Sequence, residues 1–382
     1  MAQQKQRKSS RSRGNKRHSA GKNGKHSGVA ATPAIITPWI DFICVGGLSI
    51  AVMLGLLIYI FFRKSGGQAE VYFGSFIILQ AMINWPHFMA SYRLLYKPTT
   101  NIRKHPYAAV YVPFALVAAV IVALGMGGSS AEGGSGIYIQ QDIAYFMWLI
   151  AAFYLAWHYT GQAWGMIASF SYLAGIKITN EERLILRSGL RILLVWHVVW
   201  GVQDLPQDWL GPIYPHLSSL LSVVSAFAVA AFVLGAMTFT GIKRRTGVTP
   251  TPQMVAPWAA IYLWYLVLYF EPNAYLFVQL SHALQYLIFP LRIELNRSEP
   301  GTATGQATKQ IIWSSRYYIL LVLTGLFVFY SPDVLLGQSP QVYGFALLVS
   351  SAVSIHHYFV DGCIWKVSNK EVRNSLFSHV KT

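Results

Sequence analysis

The sequence predicts an all-α fold, a polytopic transmembrane bundle of about ten helices, and three observations predict it. Of 382 residues, 54% are hydrophobic and 12% are charged, with a mean hydropathy of +0.41. A soluble globular chain carries about 25% charged residues. Apolar runs of 18 or more residues recur along the whole length, each long enough to cross a hydrocarbon core of about 30 Å. Lys and Arg then alternate from one connection to the next, as they do when successive loops lie on opposite sides of a membrane.

Residues 1–34 open the chain as a basic tail. Nine of the thirty Lys and Arg residues precede Ile35, in a stretch that lacks any carboxylate and is rich in Ser, Gly and Asn. Such a segment cannot bury enough apolar surface to fold. It reads as a solvated cytoplasmic tail that sets orientation, and its charge suits contact with anionic lipid better than with nucleic acid. The apolar run that follows, 35–62, is far longer than the core of a signal peptide.

Ten spans follow, over approximately 35–62, 70–95, 107–127, 140–172, 182–203, 215–240, 254–270, 274–295, 310–330 and 342–366. The fourth exceeds what a crossing needs, which predicts tilt or a helical extension beyond the bilayer. Together they make a membrane domain over 35–367, followed by a cytoplasmic C-terminal tail, 368–382. The longest loops are about 15 residues, so any activity has to reside in the bundle or at its faces.

The loops orient the spans. Arg93, Lys97, Arg103 and Lys104 follow the second, and Lys177, Arg183, Arg187 and Arg191 separate the fourth from the fifth. Lys243, Arg244 and Arg245 follow the sixth; Arg292, Arg297, Lys309 and Arg316 lie between the eighth and ninth. Lys366, Lys370, Arg373 and Lys381 close the chain. The alternate loops, around 128–137, 204–214, 271–273 and 331–341, hold neither Lys nor Arg. Both termini are therefore expected in the cytoplasm, the tail outweighing Arg63 and Lys64 after the first span. The expected location is the bacterial inner (plasma) membrane, with multiple passes.

Within this frame the informative residues are histidines. His87, His158, His282 and the adjacent pair His356 and His357 sit inside apolar segments, on spans two, four, eight and ten. Ionisable groups are expensive in hydrocarbon and usually serve a function there. Neutral imidazole is the commonest protein ligand for transition metals. With the N-terminus inside, all four spans run in the same direction. The next basic residue lies six positions after His87 (Arg93), ten after His282 (Arg292) and nine after His357 (Lys366). At about 1.5 Å per residue these depths agree within about 6 Å. One shared site is thus possible by depth, while convergence of the helix faces is not legible.

Polar neighbours share the histidine faces: Gln162 four residues after His158, Gln285 three after His282, Asp361 four after His357, Asn84 three before His87 and Ser91 four after it. A metal-bound His usually passes its other ring N–H to a carboxylate or carbonyl. Asp361, Gln162, Gln285 and Asn84 are therefore the expected supporting shell around His87, His158, His282, His356 and His357, with Asp361 orienting His357. Trp85, Phe88, Tyr92, Trp157, Tyr159, Trp164, Tyr286, Tyr358 and Trp365 flank them. The plainer alternative is that each His only hydrogen-bonds between helices, as polar residues do in membrane bundles. His356 and His357 project about 100° apart on a helix, so both need not face one ion. His197 lies on a span of opposite direction and is a weaker candidate.

Other signals exclude rather than assign. Cys44 and Cys363 form no CxxC and read as small buried hydrophobes. The run GMGGSSAEGGSG (125–136) lacks the Lys-Ser/Thr end of a phosphate loop. There is no HExxH, GxSxG or dinucleotide fingerprint, and Val353 occupies the first His position of an HxxHH motif.

The pattern of single histidines on several spans, the aromatic surroundings and the Pro86-His87 step resemble in kind the Brp/Blh-type β-carotene-cleaving dioxygenases, membrane proteins that hold iron through intramembrane histidines. The phrases HHYFVDGCIWK and SHALQYL look like signatures of an uncharacterised bacterial membrane family. The resemblance implies iron and O2-dependent chemistry on a lipophilic substrate. From the residues, an all-imidazole set suits Fe, Cu or Zn better than Mg or Ca. The leading expectation is a membrane metal-binding protein, an O2-dependent oxidoreductase if it is an enzyme. The alternatives are a transporter or proton-coupled carrier using the same histidines, or a bis-His haem b electron-transfer protein.

Overall fold

A computed structural model describes residues 34–64, 76–97, 99–125, 140–298, 306–330, 340–365 and 369–380. The basic tail over 1–33, the loops at 128–137 and 331–339, and Lys366 lie outside the described residues. Among those described, every regular element is helical. The principal helices are α1 (Pro38–Lys64), α2 (76–96), α3 (Tyr107–Gly125), α4 (Gln141–Leu173), α5 (Asn180–Gly201), α6 (Leu217–Thr246), α7 (Pro252–Phe270), α8 (Tyr275–Ser298), α9 (Gln306–Phe329), α10 (Pro340–Ile364) and α11 (Lys370–Phe377).

Among the described residues, nine of the ten predicted spans fall on helices long and apolar enough to cross a membrane. The other, α2, is diluted by Gln80, Asn84, Pro86, His87 and Arg93. These polar groups are tolerable because α2 packs against α8, α9 and α10 and lies among protein. The core runs through α4, α5, α7 and α8, with Trp196, Ile261, Trp264, Met166 and Ile167 among its fully buried side chains.

Two breaks in helix regularity help place the site. In α1 the backbone leaves helical geometry at Gly46 (φ 173°, ψ −24°). The carbonyl of Val45 beside that break accepts a hydrogen bond from Gln285 Nε2 at 2.7 Å. Gln285 thus ties α8 to α1 rather than supporting an imidazole. A Cβ at Gly46 would stand 2.6 Å from the Ala256 carbonyl oxygen of α7. Gly46→Ala should therefore cost about 1–3 kcal/mol, the usual penalty of overpacking, read as a lowered unfolding midpoint in detergent. An unchanged midpoint would mean that α1 and α7 separate freely.

In α2 a widened π-type turn over Gln80–Asn84 precedes Pro86. Proline has no N–H to give to the carbonyl four residues back, and the hydroxyl of Tyr318 on α9 donates to that Met82 carbonyl instead. The irregular turn that delivers His87 is thereby satisfied by a neighbouring helix, as membrane helices with proline require.

Charge pins the C-terminal ends of the same helices. Glu294 of α8, buried, is paired with Arg297 at 2.8 Å, with Arg93 of α2 at 3.4 Å and with Lys97 at 3.7 Å. Arg292, expected at this edge, bonds Asn296 Oδ1 through its Nε at 2.8 Å. The segment read as a C-terminal tail contains α11, whose Leu376 and Phe377 are buried in the main core. Lys104 contacts Glu371 of α11 at 2.7 Å, and this hydrogen bond and charge hold the exposed carboxyl below its ordinary range.

Candidate metal centre

Helices α2, α4 and α10 each deliver one imidazole to a common point, and α8 sets a fourth against the one from α4. His357 Nε2 lies 2.9 Å from His87 Nε2, and His158 Nε2 lies 2.9 Å from His282 Nε2. Ring centroids of His87 and His282 are 5.0 Å apart, and those of His158 and His357 also 5.0 Å. All four side chains are buried. The carboxylate of Asp361 joins them, with Oδ2 3.5 Å from His357 Nε2 and 3.6 Å from His158 Nε2. One ligand atom from each of His87, His158, His357 and Asp361 lies within 4.8 Å of every other, and His282 borders this group through His158.

With bonds of about 2.1 Å, ligand atoms around one ion stand about 3.0–4.2 Å apart, so the group, spread over 4.8 Å, closes on one ion with shifts of under about 1 Å. The chemistry of the donors fits as well. Asp361 Oδ2 is buried yet accepts no hydrogen bond, and it faces imidazole nitrogens that also point inward. An array of lone pairs aimed at one another in an apolar bundle requires protons or a cation between them.

The placement of Asp361 corrects the expectation that it would orient His357 from behind. Such a carboxylate would meet Nδ1, whereas Oδ2 stands on the Nε2 side of both His357 and His158 and is itself a candidate ligand. Its other oxygen is held in place: Oδ1 accepts from Ser91 Oγ at 2.6 Å and from the Tyr286 hydroxyl at 3.1 Å. Tyr286 in turn accepts from Trp365 Nε1 at 2.5 Å. The Nδ1 atoms of His87, His282 and His357 have no hydrogen-bond partner. Packing orients the rings instead: Tyr286 lies 4.2 Å from the His87 ring, Phe88 4.3 Å from His357, Tyr159 4.3 Å from His282 and Tyr358 4.9 Å from His158.

His356 is not brought to this point. About 100° around α10 from His357, it donates from Nε2 to the Ala108 carbonyl at 2.7 Å and stacks on Tyr92, tying α10 to α3. His197, on α5, contacts the Tyr265 hydroxyl at 3.3 Å, which is the interhelical bonding expected of a buried polar side chain. Gln162 donates to the His282 backbone carbonyl at 3.1 Å. It therefore joins α4 to α8 and supports no ring nitrogen. Asn84 donates to Gln80 at 2.6 Å.

A regularity links the supporting residues. Ser91, Gln162, Tyr286 and Asp361 each lie four residues after their helix's histidine, and so form a polar layer about 6 Å further along four parallel helices. Tyr286 was legible in sequence by this spacing. Its aromatic character hid it, since it read as a flanking ring, and Gln285 drew attention three residues after His282.

Cavities lie on either side of the cluster. One of about 230 Å³, toward the helix N-terminal ends, is lined by Gln80, Asn84, Gln279, Ser350 and Ser354 together with His87, His282 and His357. The other, of about 190 Å³ and toward the C-terminal ends, touches His158 and Asp361 and is otherwise largely apolar. Residues one turn or more before the histidines of α2, α8 and α10 (Gln80, Asn84, Gln279, Ser350, Ser354) line the first, and residues one turn or more after those of α4, α8 and α10 (Gln162, Tyr286, Asp361) line the second. That distribution fits helices running in the same direction through the site.

No protein-family model, curated protein or solved structure matches this chain. The site therefore rests on its own geometry.

Proposed function

We propose that this chain is an integral membrane metalloprotein that holds one transition-metal ion, iron ahead of copper or zinc, among His87, His158, His282, His357 and Asp361, and that it is an O2-dependent oxidoreductase of a lipophilic substrate. The observation that carries the reading is the convergence of ligand atoms of His87, His158, His357 and Asp361 to within 4.8 Å of one another, with His282 against His158, inside a bundle of membrane-length helices. Five such donors exceed the four of a closed zinc site and suit the imidazole and carboxylate preferences of iron. Bound there, iron would supply the means to activate O2. The residues hold the ion, keep bulk water away and present an apolar face beside it. The likeness in kind to intramembrane dioxygenases supports the same choice.

The geometry favours a bare ion over haem b. A bis-His haem needs a flat macrocycle between its two axial nitrogens, and the 2.9 Å separations within the pairs His87–His357 and His158–His282 leave no room for one. The largely apolar lining on one side of the cluster also favours chemistry on a lipophilic molecule over relay of ions between aqueous faces.

Elemental analysis and optical absorbance of the detergent-purified protein test this. About one iron per chain without a Soret band is expected. Absence of any transition metal after purification and reloading, or a Soret band, would overturn it.

The orientation proposed for the bundle has both termini in the cytoplasm, supported by the alternation of Lys and Arg. A cysteine placed in loop 128–137 should then react with an impermeant maleimide added to intact cells, and one in loop 241–253 should not. The reverse labelling would invert the topology.

A further inference from the structure

The cavity beside Asp361 has an unusual wall. Three helix-interior glycines line it, Gly161 and Gly165 of α4 and Gly362 of α10. Glycine in a helix interior costs about 0.8–1.0 kcal/mol relative to alanine, so a packing reason is the first to seek. There is none: a Cβ built on any of the three would meet nothing within 4 Å. Other helical glycines also face open space, Gly55 and Gly241 among them. These three are set apart because the space they leave is one cavity, lined also by Asp361, a buried residue whose Oδ2 has no hydrogen-bond partner.

The cavity reaches the outer surface of the bundle. Gly161 and Gly362 are exposed while His158 and Asp361, three residues and one residue away, are buried. Trp157, 62% exposed, flanks the same wall. The mouth is therefore close to the level of the cluster, between α4 and α10, both helices long and apolar enough to cross a membrane. Inside, Met166, Phe289, Trp365 and Leu376 supply apolar walls. At about 190 Å³ the cavity exceeds the roughly 150 Å³ that accepts a benzene ring. It can take a segment of a hydrocarbon chain, the remainder staying in the bilayer.

From this juxtaposition we infer that the cleft bounded by Gly161, Gly165 and Gly362 is a lateral port, through which an acyl or isoprenoid hydrocarbon chain enters from the membrane and lies against His158 and Asp361. The inference rests on the reading of the cluster as a metal centre for a lipophilic substrate, and it names the substrate class and its route.

The test uses the full chain in bilayers containing palmitic acid with a terminal photoactivatable diazirine, followed by peptide mapping. Labelling is expected at Met166 and Phe289, which are buried within the bundle and reachable only by a chain that has entered. In Gly161→Leu/Gly362→Leu, interior labelling should fall at least tenfold, while labelling of the exposed Phe146 on the same helix stays constant. In Gly161→Ala/Gly362→Ala, which meets no neighbour, it should persist. Metal content measured on the same samples separates the two readings. Metal with no interior labelling in the unaltered chain overturns the port and leaves the metal centre standing. Interior labelling without metal overturns the metal centre and leaves the port. Equal labelling in the leucine and alanine variants also overturns the port.

Discussion

His158→Ala should remove most of the bound metal, with affinity falling by well over the ~10–100-fold that loss of a supporting residue costs. His158 stands at the centre of the cluster: its Nε2 is 2.9 Å from His282 Nε2 and 3.6 Å from Asp361 Oδ2. Its loss takes a donor from the ion and also widens the apolar cleft that His158 lines. His87→Ala, His282→Ala and His357→Ala should behave alike. His356→Ala is the internal control: it loses a bond to the Ala108 carbonyl and should keep its metal. Metal-to-protein ratios after equilibration with a graded chelator would read these differences. Equal loss in His356→Ala and His158→Ala would show that folding, rather than ligation, had been measured.

Asp361→Asn should be nearly as severe. The amide keeps the shape of the side chain, and its oxygen can still accept from Ser91 and Tyr286 as Oδ1 does. What changes is the atom facing His158 and His357, which becomes an N–H donor without charge. A carboxylate that ligates supplies the sole negative charge offset to a dication among neutral imidazoles, and its removal should weaken binding by more than about 100-fold. A carboxylate acting only through an imidazole would cost about 10–100-fold. The size of the loss therefore separates ligand from support. Ser91→Ala, which frees Oδ1 of one hydrogen bond and leaves the charge, should fall in the smaller range.

Much of this arrangement is legible along the chain because membranes impose simple rules. Length and hydropathy place the spans, since a helix must cross a fixed thickness with its backbone satisfied. The alternation of basic loops fixes their relative directions, and counting residues to the next charge then put His87, His282 and His357 at one depth. Helical spacing correctly put Ser91 and Asp361 on the faces of His87 and His357, where they meet.

Rotation about each helix axis is another matter. Depth depends on sequence position along one helix, but facing depends on which neighbours that helix packs against, a property of the whole bundle. The adjacent pair on α10 shows the difference: His357 reaches the cluster and His356 turns to Ala108, though nothing local ranks one above the other. Gln285 sits one residue from Tyr286, yet it is drawn to Val45 by a break in a helix 240 residues earlier in the chain.

By itself, then, the sequence determined that this is an all-helical membrane-type chain, that several of its apolar spans carry an imidazole, one with Asp361 a turn away, and that these lie at a common level. Tertiary structure alone decided which histidines gather at one point, that Asp361 stands among the donors rather than behind them, and that an apolar cleft opens beside it. The physical reason is that hydrophobicity and periodicity act along a single helix, whereas the convergence of side chains to within 4.8 Å depends on packing between helices distant in sequence.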